Sequence, residues 1–113
     1  MRIESYEFGR IVIDGREYRN DVIIFEDHVK GDWWRREGHR LQIEDLDEIV
    51  EKKPELLIVG TGYSGLMVVP KNVEDYLNSL GIELKAMDTR KAVDLYNKVS
   101  GEKRVIAALH LTC

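Results

Sequence analysis

Four clusters of residues have types and spacings that can do chemistry. The first is Gly60-Thr61-Gly62-Tyr63-Ser64-Gly65, directly after the apolar run Leu56-Leu57-Ile58-Val59, with Asp88 at the end of the next strand-like run. A dinucleotide site uses this Gly-x-Gly-x-x-Gly spacing, with a helix opening at the third glycine so that its free N–H groups hold a pyrophosphate. Here Leu66-Met67-Val68-Val69 reads as a second strand-like run, and the next helix signal waits until Pro70. No dinucleotide cofactor is expected. Two readings stay open: a plain connecting turn, or a cradle whose N–H groups from Thr61 to Gly65 hold a carboxylate or phosphate. A pocket of the second kind would draw on Gly60, Thr61, Gly62, Tyr63 and Ser64, with Thr89, Arg90 and His110.

The second cluster is Ser64, Asp88 and His110, which follow one another in the chain order of one class of hydrolase triad. The Gly-x-Ser-x-Gly elbow that such a nucleophile needs is absent, because Ser64 is followed by Gly65-Leu66. Thirdly, His110 and Cys113 offer two soft ligands, too few for a zinc site in a chain with one cysteine. No metal is expected. The fourth is Trp33-Trp34-Arg35-Arg36-Glu37-Gly38-His39-Arg40. Neighbours in an extended segment point to opposite sides, so both indoles cannot face one core. One of them should be exposed among the arginines, the two residue types most enriched in binding hot spots. Trp33, Trp34, Arg35, Arg36, His39 and Arg40 are therefore a candidate interaction surface. The alternative is one core indole and one covered by arginine stems.

The elements that must position these residues follow from periodicity. Arg10–Ile13 and Arg16–Arg19 flank Asp14-Gly15, the preferred pair for a tight hairpin, and Asp21–Phe25 is a third β-branched run. His28–Arg36 fits either a strand or a loop. A helix is expected over Glu44–Lys52, with Lys52 and Lys53 in its last turn and Pro54 ending it. Further helices are expected over Lys71–Leu80, opened by Pro70, and Thr89–Ser100, capped by Asp88 or Thr89. Buried strands are expected at Leu56–Val59, Ile82–Met87 and Val105–Leu109. The second half thus runs strand, helix, strand, helix, strand, which right-handed crossovers turn into a largely parallel sheet covered by helices.

The chain's 113 residues suit one domain, 1–113, without linker or repeat. Hydrophobic residues make up 43% of it, enough to exclude general disorder. No apolar run approaches the ~18 residues of a membrane span, and the opening MRIESYEF has no signal-peptide apolar region. A cytoplasmic protein is expected, with no membrane partner. Net charge is −4, which argues against a nucleic-acid partner. Charged residues reach 34%, with one Gln and four Asn, a balance that points to a thermophilic source.

Several separate motifs, in order, resemble one family. They are Phe8-Gly9-Arg10-Ile11, Asp21-Val22-Ile23, Trp34-Arg35-Arg36-Glu37-Gly38-His39, Gly60-Thr61-Gly62, Thr89 with Ala92 and Tyr96-Asn97, and Leu109-His110 with Cys113. The family is the small Mth-type domain of unknown function, whose animal relatives include an adipogenesis-associated cytosolic protein and a mitochondrial complex I assembly factor. The resemblance implies a single three-layer α/β domain: a mixed central sheet, a C-terminal βαβαβ run and a β-rich N-terminal part. It supplies no catalytic residues. The expected function is a non-enzymatic binding or assembly module that uses the Trp/Arg surface toward a protein partner or a second copy. The alternative is a small-anion binder or enzyme built on the glycine turn, Thr89, Arg90 and His110.

Overall fold

Ile3–Glu7 (β1), Arg10–Ile13 (β2) and Arg16–Tyr18 (β3) form a three-stranded antiparallel sheet in the order β1-β2-β3. The computed structural model describes all 113 residues. Asp14 and Gly15 join β2 to β3 with φ of 49° and 81°. Two successive positive φ values make the hairpin turn whose twist matches its strands, which is why Asp-Gly stands there.

A second sheet has five strands. Val22–Ile24 (β4) and Val29–Lys30 (β5) are antiparallel, so the undecided His28–Arg36 segment is a two-residue strand followed by a loop. Leu56–Thr61 (β6), Glu83–Met87 (β7) and Val105–His110 (β8) complete it in the order β5-β4-β8-β6-β7. β6 lies parallel to both β7 and β8, whereas β4 runs antiparallel to β8. The sheet is therefore mixed, as expected.

Side-chain alternation builds two cores, one on each face. Val22, Ile24, Leu56, Ile58, Val105, Ala107 and Leu109 face β1, β2 and the helix Thr89–Val99 (α3). Ile23, Leu57, Val59, Ile106 and Ala108 face the helices Asp47–Glu51 (α1) and Lys71–Ser79 (α2), together with Phe25, Trp33 and Leu41. Central parallel strands need apolar residues on both faces, which explains their unbroken apolar runs.

Four expectations need correction. The Glu44–Lys52 helix is a 3-10 turn at Ile43–Leu46 followed by α1, and Lys52 and Lys53 lie beyond its last turn, with Lys53 at a φ of 51°. Leu66–Val69 is a connection with one β-bridge, from Val68 to Arg40. The turn before it includes Gly65 at a φ of 72°, outside the range of an extended strand. β7 is not buried: it is the last strand of the sheet, so Glu83, Lys85 and Ala86 are exposed. Leu80, expected as the last residue of the second helix, lies past the end of α2 and is exposed.

Candidate functional site

The strand ends β4 and β8 bring together a buried polar cluster. His110 Nδ1 lies 2.7 Å from Asp21 Oδ2, and Asp21 Oδ1 accepts from Leu111 N–H at 2.7 Å. A carboxylate only accepts, so Nδ1 carries the hydrogen of this bond. Arg35 Nη2 donates to Asp21 Oδ2 at 2.8 Å and to Gly38 O at 3.0 Å, which uses both of its hydrogens. Its 3.1 Å approach to His110 Nδ1 is therefore a contact between two donors. The Arg35 side chain is only 4% exposed and its Cζ sits 4.6 Å above the Trp33 ring. His39 packs edge-on against His110 with ring centroids 5.8 Å apart.

This network decides the ionisation of Asp21. Burial works against its carboxylate, but hydrogen bonds from His110, Leu111 N–H and Arg35 outweigh that and hold its pKa below the usual range. The buried side-chain atoms without a partner are Trp33 Nε1, Arg35 Nε and Nη1, and His110 Nε2, all in this one cluster. An imidazole oriented by a carboxylate is the arrangement of a general base. Here Nε2 is sealed from solvent, so no substrate atom reaches it in this arrangement. Arg35, expected on the surface, is thus a bracing residue. Its charge is drawn inward by Asp21 and its plane by Trp33.

Around the glycine turn the N–H groups have other work. Gly62 N–H donates to Thr89 Oγ1 (2.9 Å), Tyr63 N–H to Thr112 O (3.1 Å), Gly65 N–H to Gly62 O (3.1 Å) and Leu66 N–H to Cys113 O (3.1 Å). The Thr89 hydroxyl also donates to His110 O at 2.7 Å, so it ties β6, α3 and β8 together. Thr61 Oγ1 donates to Met87 O at 3.1 Å. Gly60 is glycine for a packing reason, since a Cβ there would come 2.7 Å from Thr89 Oγ1. In this turn the anion cradle lacks free donors, apart from the exposed Ser64. The first helix after Gly65 begins at Lys71.

The remaining candidates separate. Asp88 caps α3 by accepting from Lys91 N–H at 3.1 Å, while His110 pairs with Asp21, so the Ser64-Asp88-His110 order assembles no triad. Arg90 lies 3.7 Å from Asp88 Oδ1 and 4.5 Å above the Tyr63 ring, which offsets its charge at a helix start. No group of three or more His, Cys, Asp or Glu side chains is placed to hold a metal. Trp33 is 3% exposed and Trp34 77%, so the two indoles divide as the alternation of an extended segment requires. Trp34, Arg36, Glu44, Asp45, Asp47, Glu48 and Lys30 line an open groove of about 600 Å³, with Trp33 and Arg35 at its inner wall.

Residues 3–110 match the family described as protein of unknown function (DUF498/DUF598). The chain belongs to the DUF498/DUF598 family. This bears out the resemblance to Mth-type domains, and solved structures agree. A conserved hypothetical protein of Pyrococcus horikoshii, PH1505, aligns over all of both chains at 27% identity with a TM-score of 0.86. A structure named MT938 covers 99% of this chain and 98% of its own at 29% identity, with a TM-score of 0.82. A Mth938-like domain from Bordetella pertussis covers 97% of this chain and 85% of its own with a TM-score of 0.79, and at 20% identity it shows the shared fold alone.

DUF498/DUF598 membership brings no assigned activity. In this DUF498/DUF598 chain no helix is long and apolar enough to cross a membrane. The residue that sequence reasoning missed is Asp21. Its signal was available: a carboxylate opening the apolar run Val22–Ile24, beside which an unpaired charge would be costly. Nothing in the spacing pointed to His110, 89 residues away.

Proposed function

We propose that this protein is a non-enzymatic binding module that engages a protein partner through Trp34 and the groove beside it. The observation that supports this is the 77% exposure of the Trp34 indole, on a segment anchored by buried Trp33 and by the Arg35–Asp21 pair. Large aromatic side chains are usually covered in a monomer, and a rigidly presented one loses little entropy when a partner covers it. The groove adds acidic side chains from Glu44, Asp45, Asp47 and Glu48, against Lys30 and Arg36. Lys30 is paired with Glu48 at 2.5 Å, and Arg36 reaches Glu44 only at 4.0 Å. Asp47 has no ion-pair partner, so a partner's cationic side chain stacked on Trp34 finds a carboxylate within the same groove.

The test is capture by cross-linking in cell extract, comparing the native chain with Trp34→Ala and Asp47→Asn. Trp34→Ala should lose the captured protein while its melting curve stays within about 0.5 kcal/mol of the parent, as for surface changes elsewhere. Asp47→Asn should weaken capture in a salt-dependent way. Equal capture by all three chains would sink the reading. The small-anion alternative finds less support, because the N–H groups it needed are bonded to Thr89, Thr112 and Cys113.

A further inference from the structure

The five-stranded sheet ends in an open edge at β7. Glu83 sits opposite Leu56 and its N–H donates to Glu55 O at 3.1 Å. In a parallel pair alternate residues bond to the neighbour, so Glu83, Lys85 and Met87 direct their backbone groups at β6. Leu84 and Ala86 therefore direct theirs outward, where no strand follows. Such an edge recruits another strand unless a bulge, a proline or a covering element blocks it. β7 has no proline, its register with β6 is unbroken, and Glu83, Lys85 and Ala86 are solvent-exposed. Its only guards are the two charges.

Those charges are complementary to a second copy of themselves. We infer that β7 is the contact strand of a homodimer, in which two β7 strands pair antiparallel about Leu84 and extend the sheet across both copies. Centring on Leu84 sets Glu83 of each copy opposite Lys85 of the other, giving two opposite-sign pairs. A shift that centres on Lys85 sets lysine against lysine, which cross-strand pairing disfavours. Charge thus selects one register. Within a single chain Glu83 and Lys85 approach only to 3.9 Å, so both remain available.

The backbone fits the same register. Leu84 exchanges both of its outward hydrogen bonds with Leu84 of the second copy, and Ala86 N–H reaches Ile82 C=O of that copy. The ladder stops there, because Ile82 N–H is already bonded to Leu77 O at 3.0 Å. A groove of about 400 Å³ runs along this edge, lined by Val69, Glu74, Leu84, Lys85, Ala86 and Met87; directly opposed residues share a face, so the second strand occupies it with its Leu84 on the α2 side. The contact is small, and the dimer it forms is a weak, concentration-dependent one.

Sedimentation equilibrium of the full chain over a wide concentration range tests this. The native protein should show a monomer–dimer equilibrium. Glu83→Lys alone and Lys85→Glu alone each create two like-charge pairs and should weaken the dimer about tenfold or more. The double variant Glu83→Lys/Lys85→Glu should restore it. An equimolar mixture of the two single variants should form a heterodimer, because every facing pair is then of opposite sign. Ala86→Pro removes an outward N–H without touching the bonds to β6, and should abolish dimerisation with the fold retained by circular dichroism. A native chain that stays monomeric throughout, a dimer indifferent to the single swaps, or a double variant that fails to recover would each overturn the inference.

Discussion

At Asp21 one carboxylate accepts hydrogen bonds from three directions: His110, Leu111 N–H and Arg35. Replacing it by Asn removes the charge that compensates Arg35, whose side chain is almost wholly buried. Breaking a buried pair from one side costs about 3–5 kcal/mol, and chemical denaturation of Asp21→Asn should show a loss of that order. Arg35→Ala should lose a similar amount, whereas Arg36→Ala, exposed and 4.0 Å from Glu44, should stay within about 0.5 kcal/mol. Equal, small effects of both arginine changes would contradict the assignment of Arg35 as a brace. The same carboxylate makes stability pH-dependent. Its folded-state pKa lies below the unfolded one, so its contribution is complete above pH ~4 and is lost as pH falls through the folded value. Denaturation midpoints of the native chain should therefore drop on acidification below pH ~4 more steeply than those of Asp21→Asn.

The elements meet where β6 and β8 end and α3 begins, and Thr89 and two glycines decide how closely. At Gly62 the φ is 111° and an added Cβ would stand 2.5 Å from Thr112 O. Gly62→Ala combines a strained backbone with overlap against the C-terminal residues, so a loss of about 3 kcal/mol or more is expected in thermal melts. Thr89→Val keeps the shape but strands Gly62 N–H and His110 O, at about 1–3 kcal/mol for each buried group left unbonded. Asp88→Ala removes only the cap of α3 and should cost about 1 kcal/mol. A Thr89→Val variant as stable as the parent would show that this tie is dispensable.

Across the whole molecule the two tryptophans report on different environments. Iodide should quench Trp34 and leave Trp33 dark to it, and Trp34→Phe should remove the quenchable component, read by fluorescence. If binding covers the groove, adding a partner should protect the native chain from iodide in the same way. Two sheets share one molecule because β8 and β6 are apolar on both faces and need a layer on each. α1 and α2 cover one side; α3 with the N-terminal hairpins covers the other.

Local pattern determined much of this by itself. Short unbroken apolar runs located β6 and β8, period-3.6 spacing located α2 and α3, Asp-Gly located the first hairpin, and the alternation of an extended segment required Trp33 and Trp34 to part. These are properties of a few consecutive residues, so a short stretch carries them completely. What only tertiary structure decided is which strand became an edge, what the glycine-turn N–H groups bond to, and where Arg35 points. β7 reads like a buried strand because its alternation says nothing of how many neighbours it has. The N–H groups of Gly62, Tyr63 and Leu66 find Thr89, Thr112 and Cys113, residues far along the chain. Arg35 lies beside Arg36 in sequence and opposite to it in environment, because Asp21, just before β4, and Gly38 O accept from its guanidinium while Trp33 stacks under it. Buried polar groups must be satisfied by whatever the fold brings within reach, and no local spacing encodes a partner 89 residues away.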